Sequence, residues 1–191
     1  MKIGVGVEGP SDRVFWEKVL HKHFPGYRFF VRNMNGREKL IRQAPALCES
    51  FKNAHYQAGF ILIDQDEDPC PPAVLKLFAR ELLSLAKTPL PTRFLFICVA
   101  VKKLESWLLA DDQAIQEVIP GCDYTAPPET AQIGAARRLQ EKVREGTKPS
   151  AGFNKRDFAE QMAPKFSPER ARHHSASFSH FWTRLSAIAH C

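Results

Sequence analysis

Four short apolar runs, separated by stretches of helical periodicity, restrict this chain to a sheet with helices on its faces. The runs lie at 2–8, 27–32, 59–64 and 93–100. The third, Gly59-Phe60-Ile61-Leu62-Ile63, contains no polar residue, as a strand buried on both faces requires. Phe15, Val19 and Leu20 share one face of a predicted helix from Ser11 to His23, with Ser11 as its N-cap. Leu40, Ile41, Ala44, Leu47, Cys48 and Phe51 mark a second over 37–57, in which Pro45 predicts a kink or break. Val74, Leu75, Phe78, Leu82 and Leu85 mark a third. Strand alternating with helix gives an α/β class, with a mostly parallel four-stranded sheet and flanking helices.

After Ala100 the strand signal fades. Helices are expected at 104–110 and 112–118, followed by a linker over Pro120–Pro128. A basic helix is expected over 130–145, a break at 146–152, and short helices at 154–163 and 175–190. The chain is therefore read as an α/β core over residues 1–118 and a basic helical C-terminal extension over 119–191, packed on that core. Residues 1–129 carry 16 basic and 16 acidic side chains, whereas 130–191 carry 11 and 5, so the net charge of +6 belongs to the last third. A polyanion, DNA or RNA, is the natural partner of such a segment, gripped by Arg137, Arg138, Lys142, Arg144, Lys155, Arg156, Arg170 and Arg172; a solvated basic surface is the competing reading. No apolar stretch approaches the roughly 20 residues that span a bilayer. Five cysteines without a Cys-x-x-Cys pair point to a reducing, cytoplasmic setting.

The acids at the strand ends carry the chemistry. Asp64 and Asp66 sit two apart where the third strand leaves the sheet, so their side chains leave on the same side and repel unless a cation lies between them. Glu8 ends the first strand, followed by Gly9 and then by Asp12 at the start of a helix. In an open α/β sheet all of these collect outside the carboxyl ends of the strands, where ligands bind.

Val7-Glu8-Gly9 and Asp64-Gln65-Asp66, in this order and at strand ends, resemble the TOPRIM domain shared by topoisomerases, primases, small ribonuclease and recombination proteins, and OLD-type nucleases. The string Val7-Glu8-Gly9-Pro10-Ser11-Asp12 and the later segment from Lys102 to Asp111 are similar to small stand-alone TOPRIM proteins of bacterial defence and repair systems. The likeness covers about residues 1–118. It implies a TOPRIM/Rossmann-like fold and a magnesium (or manganese) site, with an acid at Asp12 near the metal. Families of this kind are often encoded beside ABC- or AAA-type ATPases, which makes such an ATPase subunit a possible partner.

Magnesium takes oxygen ligands and few protein carboxylates, which suits Asp64 and Asp66. Glu8 and Glu105 are candidates for a second ion, or Glu8 for a general base holding the attacking water. Lys102 or Lys103 would neutralise phosphate oxygens, although at most one can face the site. The plain alternatives are turn acids for Asp64 and Asp66, a helix N-terminal acid for Asp12, and a surface acid for Glu105. Glu67 and Asp68 read as solvated loop charge. The string Gly4-x-Gly6-x-x-Gly9 fits a dinucleotide fingerprint poorly, because its first two glycines lie inside the strand. The chain is too short for a topoisomerase breakage domain or a primase's added modules. The expectation is a magnesium-dependent nuclease; the alternative is a non-catalytic TOPRIM-fold module, or a subunit of an ATPase-associated complex.

Overall fold

The structure is a computed structural model that describes residues 1–85, 94–129, 134, 137, 141 and 154–189. Four strands, β1 (Lys2–Val7), β2 (Arg28–Asn33), β3 (Ala58–Asp64) and β4 (Leu95–Ala100), form one parallel sheet in the order β2-β1-β3-β4. The chain runs from β1 to β2 on one side and then crosses to β3 on the other. The switch in direction therefore falls between the carboxyl ends of β1 and β3, where a crevice opens in sheets of this kind.

Alternation along the strands divides the core into two layers. Ile3, Val5, Val7, Phe60, Leu62, Cys98 and Ala100 face α1 (Pro10–His23) and the helices of the last third. Ile61, Ile63 and Val99 face α2 (Arg37–Asn53) and α3 (Pro71–Leu85). Gly4 and Gly6 lie on this second face for a packing reason. A Cβ at Gly4 would come within 2.5 Å of the Phe51 ring, and one at Gly6 within 2.7 Å of Leu47. Their glycine-rich spacing is thus the imprint of α2 pressed on β1.

α1 begins earlier than expected. Pro10, with its preset φ, takes the first helical position, so Gly9 rather than Ser11 is the N-cap. α2 continues through Pro45 without a break. Leu40, Ala44, Leu47, Cys48 and Phe51 along its length are all buried, and their packing outweighs a local penalty of about 3 kcal/mol.

Beyond β4 follow α4 (Glu105–Leu109), α5 (Asp112–Val118), α6 (Lys155–Met162), α7 (Pro168–His174) and α8 (Ala176–Ala189). The sequence pattern did not separate α7, which Ser167 caps ahead of Pro168. These helices share a core with the sheet: Trp107 stacks on Phe181 at 5.4 Å, and Trp16 of α1 lies edge-on to both. The basic helix expected at 130–145 lies outside the described residues except at Gly134, Arg137 and Glu141.

Candidate metal centre

Two parallel neighbours, β1 and β3, end side by side, and each delivers an acid. Glu8 accepts a hydrogen bond from the backbone amide of Asp64 at 2.8 Å, and Asp64 accepts one from the amide of Leu104 at 2.6 Å. One oxygen of each carboxylate is thus fixed by backbone, and the second is unclaimed among the described residues. Asp66 joins them from a left-handed turn with φ 51°, and its amide is held by the carbonyl of Lys102 at 2.8 Å. Lys102 is itself left-handed, with φ 64°, a conformation that costs a lysine more than an asparagine or aspartate. The two strained residues brace each other, and strain of this kind gathers at functional sites. Carboxylate oxygens of Glu8, Asp64 and Asp66 lie within 4.8 Å of one another.

The local fields express that crowding. Burial, with Glu8 and Glu105 as further negative neighbours, pushes the Asp64 carboxyl well above its usual range. Burial also raises Glu8, helped by Asp66 and opposed by the Asp64 amide. Asp12 accepts a hydrogen bond from the Gly9 amide at 2.9 Å, yet burial together with Glu105 and Glu8 pushes its pKa up to about 7. Burial works against the charged Lys103 amine, but its bond to Asp66 at 2.6 Å outweighs this and leaves the pKa raised. Carboxylates that resist ionisation together want a cation among them, and an all-oxygen donor set suits magnesium or manganese.

Of the residues singled out in the sequence, Glu8, Asp64 and Asp66 form the acidic trio, with Asp12 and Glu105 beside it. Lys103 reaches Asp66, whereas Lys102 serves through its backbone and forms no ion pair among the described residues. Asp68 is not a solvated loop charge: it binds Arg37, whose guanidinium also lies 3.7 Å from Asp66. Lys155 bonds Glu105 at 2.5 Å. Asp12, Glu105 and Lys155 border a small pocket whose lining is otherwise mostly apolar, with Phe15, Trp16, Leu104, Leu108 and Ala159. Arg170 is not a surface cation but a clamp on the buried Asp111, at 2.6 and 2.9 Å. Sequence reasoning missed Arg37 as a site residue. The signal was available, because it follows the Asn33-Met34-Asn35-Gly36 turn at the carboxyl end of β2, the same edge as Glu8 and Asp64.

Residues 7–186 match the family described as "Domain of unknown function (DUF4276)", and the chain belongs to that family. Its fold is similar to the C-terminal region of the Burkholderia pseudomallei OLD protein, with a TM-score of 0.51 and 20% identity over 97% of this chain and 98% of that one. It is similar too to the C-terminal region of the Xanthomonas campestris pv. campestris OLD protein, with a TM-score of 0.50 and 19% identity over 98% and 95%. No curated protein matches the sequence. No helix among the described residues is long and apolar enough to cross a membrane.

Proposed function

We propose that this DUF4276 chain is a divalent-metal-dependent nucleic-acid phosphodiesterase, a nuclease with a TOPRIM-type acidic site. The observation that carries the reading is the approach of Glu8, Asp64 and Asp66 to within 4.8 Å at the switch point of a parallel sheet. Fold likeness to the C-terminal regions of two OLD proteins agrees with the resemblance already carried by Val7-Glu8-Gly9 and Asp64-Gln65-Asp66.

Glu8, Asp64 and Asp66 would hold the ion, with Asp12 and the Lys155-paired Glu105 as further negative charge beside it. Bound there, magnesium or manganese supplies Lewis acidity toward a phosphate oxygen and acidifies a coordinated water. The chain's own residues do the rest. Backbone amides of Asp64 and Leu104 fix the carboxylates before substrate arrives, so little reorganisation is left to the reaction. Lys103, held by Asp66, stands ready to neutralise a non-bridging phosphate oxygen. The partners follow as DNA or RNA.

The test is cleavage of labelled DNA and RNA by wild type, Glu8→Gln and Asp64→Asn with magnesium, manganese or chelator. Metal-dependent cleavage by wild type alone is the expected result. A wild type that gains melting temperature from the ion yet cuts nothing would favour the second reading, a metal-binding module working within an ATPase-associated complex. That reading draws support from the matched structures being regions of longer proteins.

A further inference from the structure

Arg37 is an odd partner for its two aspartates. It enters from the first turn of α2, binds Asp68 through one terminal nitrogen, and leaves its Nε 3.7 Å from Asp66, beyond hydrogen-bond distance. That Nε is buried and has no hydrogen-bond partner among the described residues. A guanidinium serving only to fix the 65–68 loop would use its fork on one carboxylate, as Arg170 does on Asp111. Asp66 meanwhile is claimed on its other oxygen by Lys103 at 2.6 Å. Two monovalent cations thus attend one carboxylate of the acidic trio.

We infer that Arg37 is a phosphate-binding residue whose place beside Asp66 is yielded to the divalent ion. This rests on the metal-centre reading above and adds a substrate contact to it. An ion held by Asp66, Asp64 and Glu8 would repel the guanidinium at Asp66, while Asp68 keeps its hold on the terminal nitrogen. The fork then turns its free N–H groups outward, and the side chain is already about a quarter exposed to solvent. A planar fork with parallel donors matches two oxygens of a phosphodiester in a way that the point charge of Lys103 does not. Arg37 would therefore select a tetrahedral phosphate at the mouth of the site, and it is absent from the pattern that ties Glu8 to Asp64.

The experiment measures a fluorescent mixed-sequence oligonucleotide, as DNA and as RNA, binding to wild type, Arg37→Gln and Arg37→Lys by anisotropy, with calcium and with chelator. Melting temperature is followed with and without manganese in the absence of oligonucleotide. Wild type should bind more tightly with the ion. Arg37→Gln should lose about tenfold or more of that ion-dependent gain, the worth of a charged hydrogen-bonded contact, and Arg37→Lys should fall between. Both variants should keep, or exceed, the wild-type melting rise with manganese, because a competitor for Asp66 has been removed or weakened. If Arg37→Gln gains as much affinity as wild type, no phosphate contact exists and the inference falls. If both variants lose the melting rise as well, Arg37 only positions Asp66 and the inference falls. If wild type gains neither melting temperature nor affinity from the ion, the metal-centre reading fails and takes this one with it.

Discussion

The carboxylate of Glu8 accepts the amide hydrogen of Asp64 at 2.8 Å, so the acid that ends β1 is tied to the backbone of the acid that ends β3. A side chain that binds a backbone amide through one oxygen, with two other carboxylates within 4.8 Å, is held against relaxing away from them. The sheet thus imposes the electrostatic cost that a divalent ion would relieve.

Isosteric amides at these positions separate structure from chemistry. Glu8→Gln and Asp64→Asn each keep a carbonyl oxygen to accept the Asp64 and Leu104 amides. Both should raise the melting temperature of the metal-free protein at neutral pH, since each removes a charge that burial and its neighbours oppose. For a chain of this size about 1 kcal/mol corresponds to roughly 2–4 °C. Wild type should gain melting temperature with manganese, and the variants should gain little. Calorimetric scans with and without the ion check both signs; a metal-free loss in Asp64→Asn would make the acid structural.

Asp12 gives the pH dependence. Its pKa is 3.8 ordinarily and about 7 in the fold, so the folded protein binds this proton more tightly than the unfolded chain does. Stability from this group is highest below the unfolded value and declines as pH rises toward about 7. Asp12→Asn should flatten that part of the stability-pH curve, and it should also ease Asp64, whose carboxyl feels the Asp12 charge. Affinity for manganese should climb through the same window as the proton is released. Parallel curves for variant and wild type would remove the burial argument.

Close packing of α2 predicts a sharp steric response at Gly4. An added Cβ would sit 2.5 Å from the Phe51 ring, which lies in a full core layer. Gly4→Ala should cost about 1–3 kcal/mol in denaturant unfolding. Combining it with Phe51→Leu should cost less than the two single changes together, because the shortened side chain makes room. Strict additivity would mean that the backbone, not the ring, gives way.

Much of this arrangement was legible in the sequence because strand ends are local events. The apolar runs before Glu8 and Asp64 located the sheet edge, and a carboxylate pair two residues apart located the acidic cluster there. Asp68 and Lys155 were not legible as neighbours of the acids, because each depends on where a separate helix or loop meets the edge, whereas Arg37 was signalled by its place after the turn that follows β2. The bond from Arg170 to Asp111 was hidden for a related reason. In sequence Arg170 stands among basic residues of the last third, while its partner Asp111 lies 59 positions earlier and becomes buried only when α7 packs beside α4. A run of charge shows what a segment carries, but the tertiary fold decides which charges are spent internally.

Arg170 supplies the final prediction. Asp111 is fully buried and accepts from the amides of Ala114 and Ser167 as well as from both arms of the Arg170 guanidinium. Removing the guanidinium strands a charge in the core, so Arg170→Ala should cost about 3–5 kcal/mol, whereas a surface cation would cost almost nothing. Nucleic-acid binding should answer the opposite way. Each phosphate contact contributes about 0.7–0.9 to the slope of log affinity against log salt, and Arg170 should contribute none. Denaturant melts of Arg170→Ala, and a salt series run at a temperature where the variant stays folded, decide the point. An unchanged stability with a slope reduced by one contact would return Arg170 to the polyanion-binding surface and leave the Asp111 carboxylate held by its backbone donors.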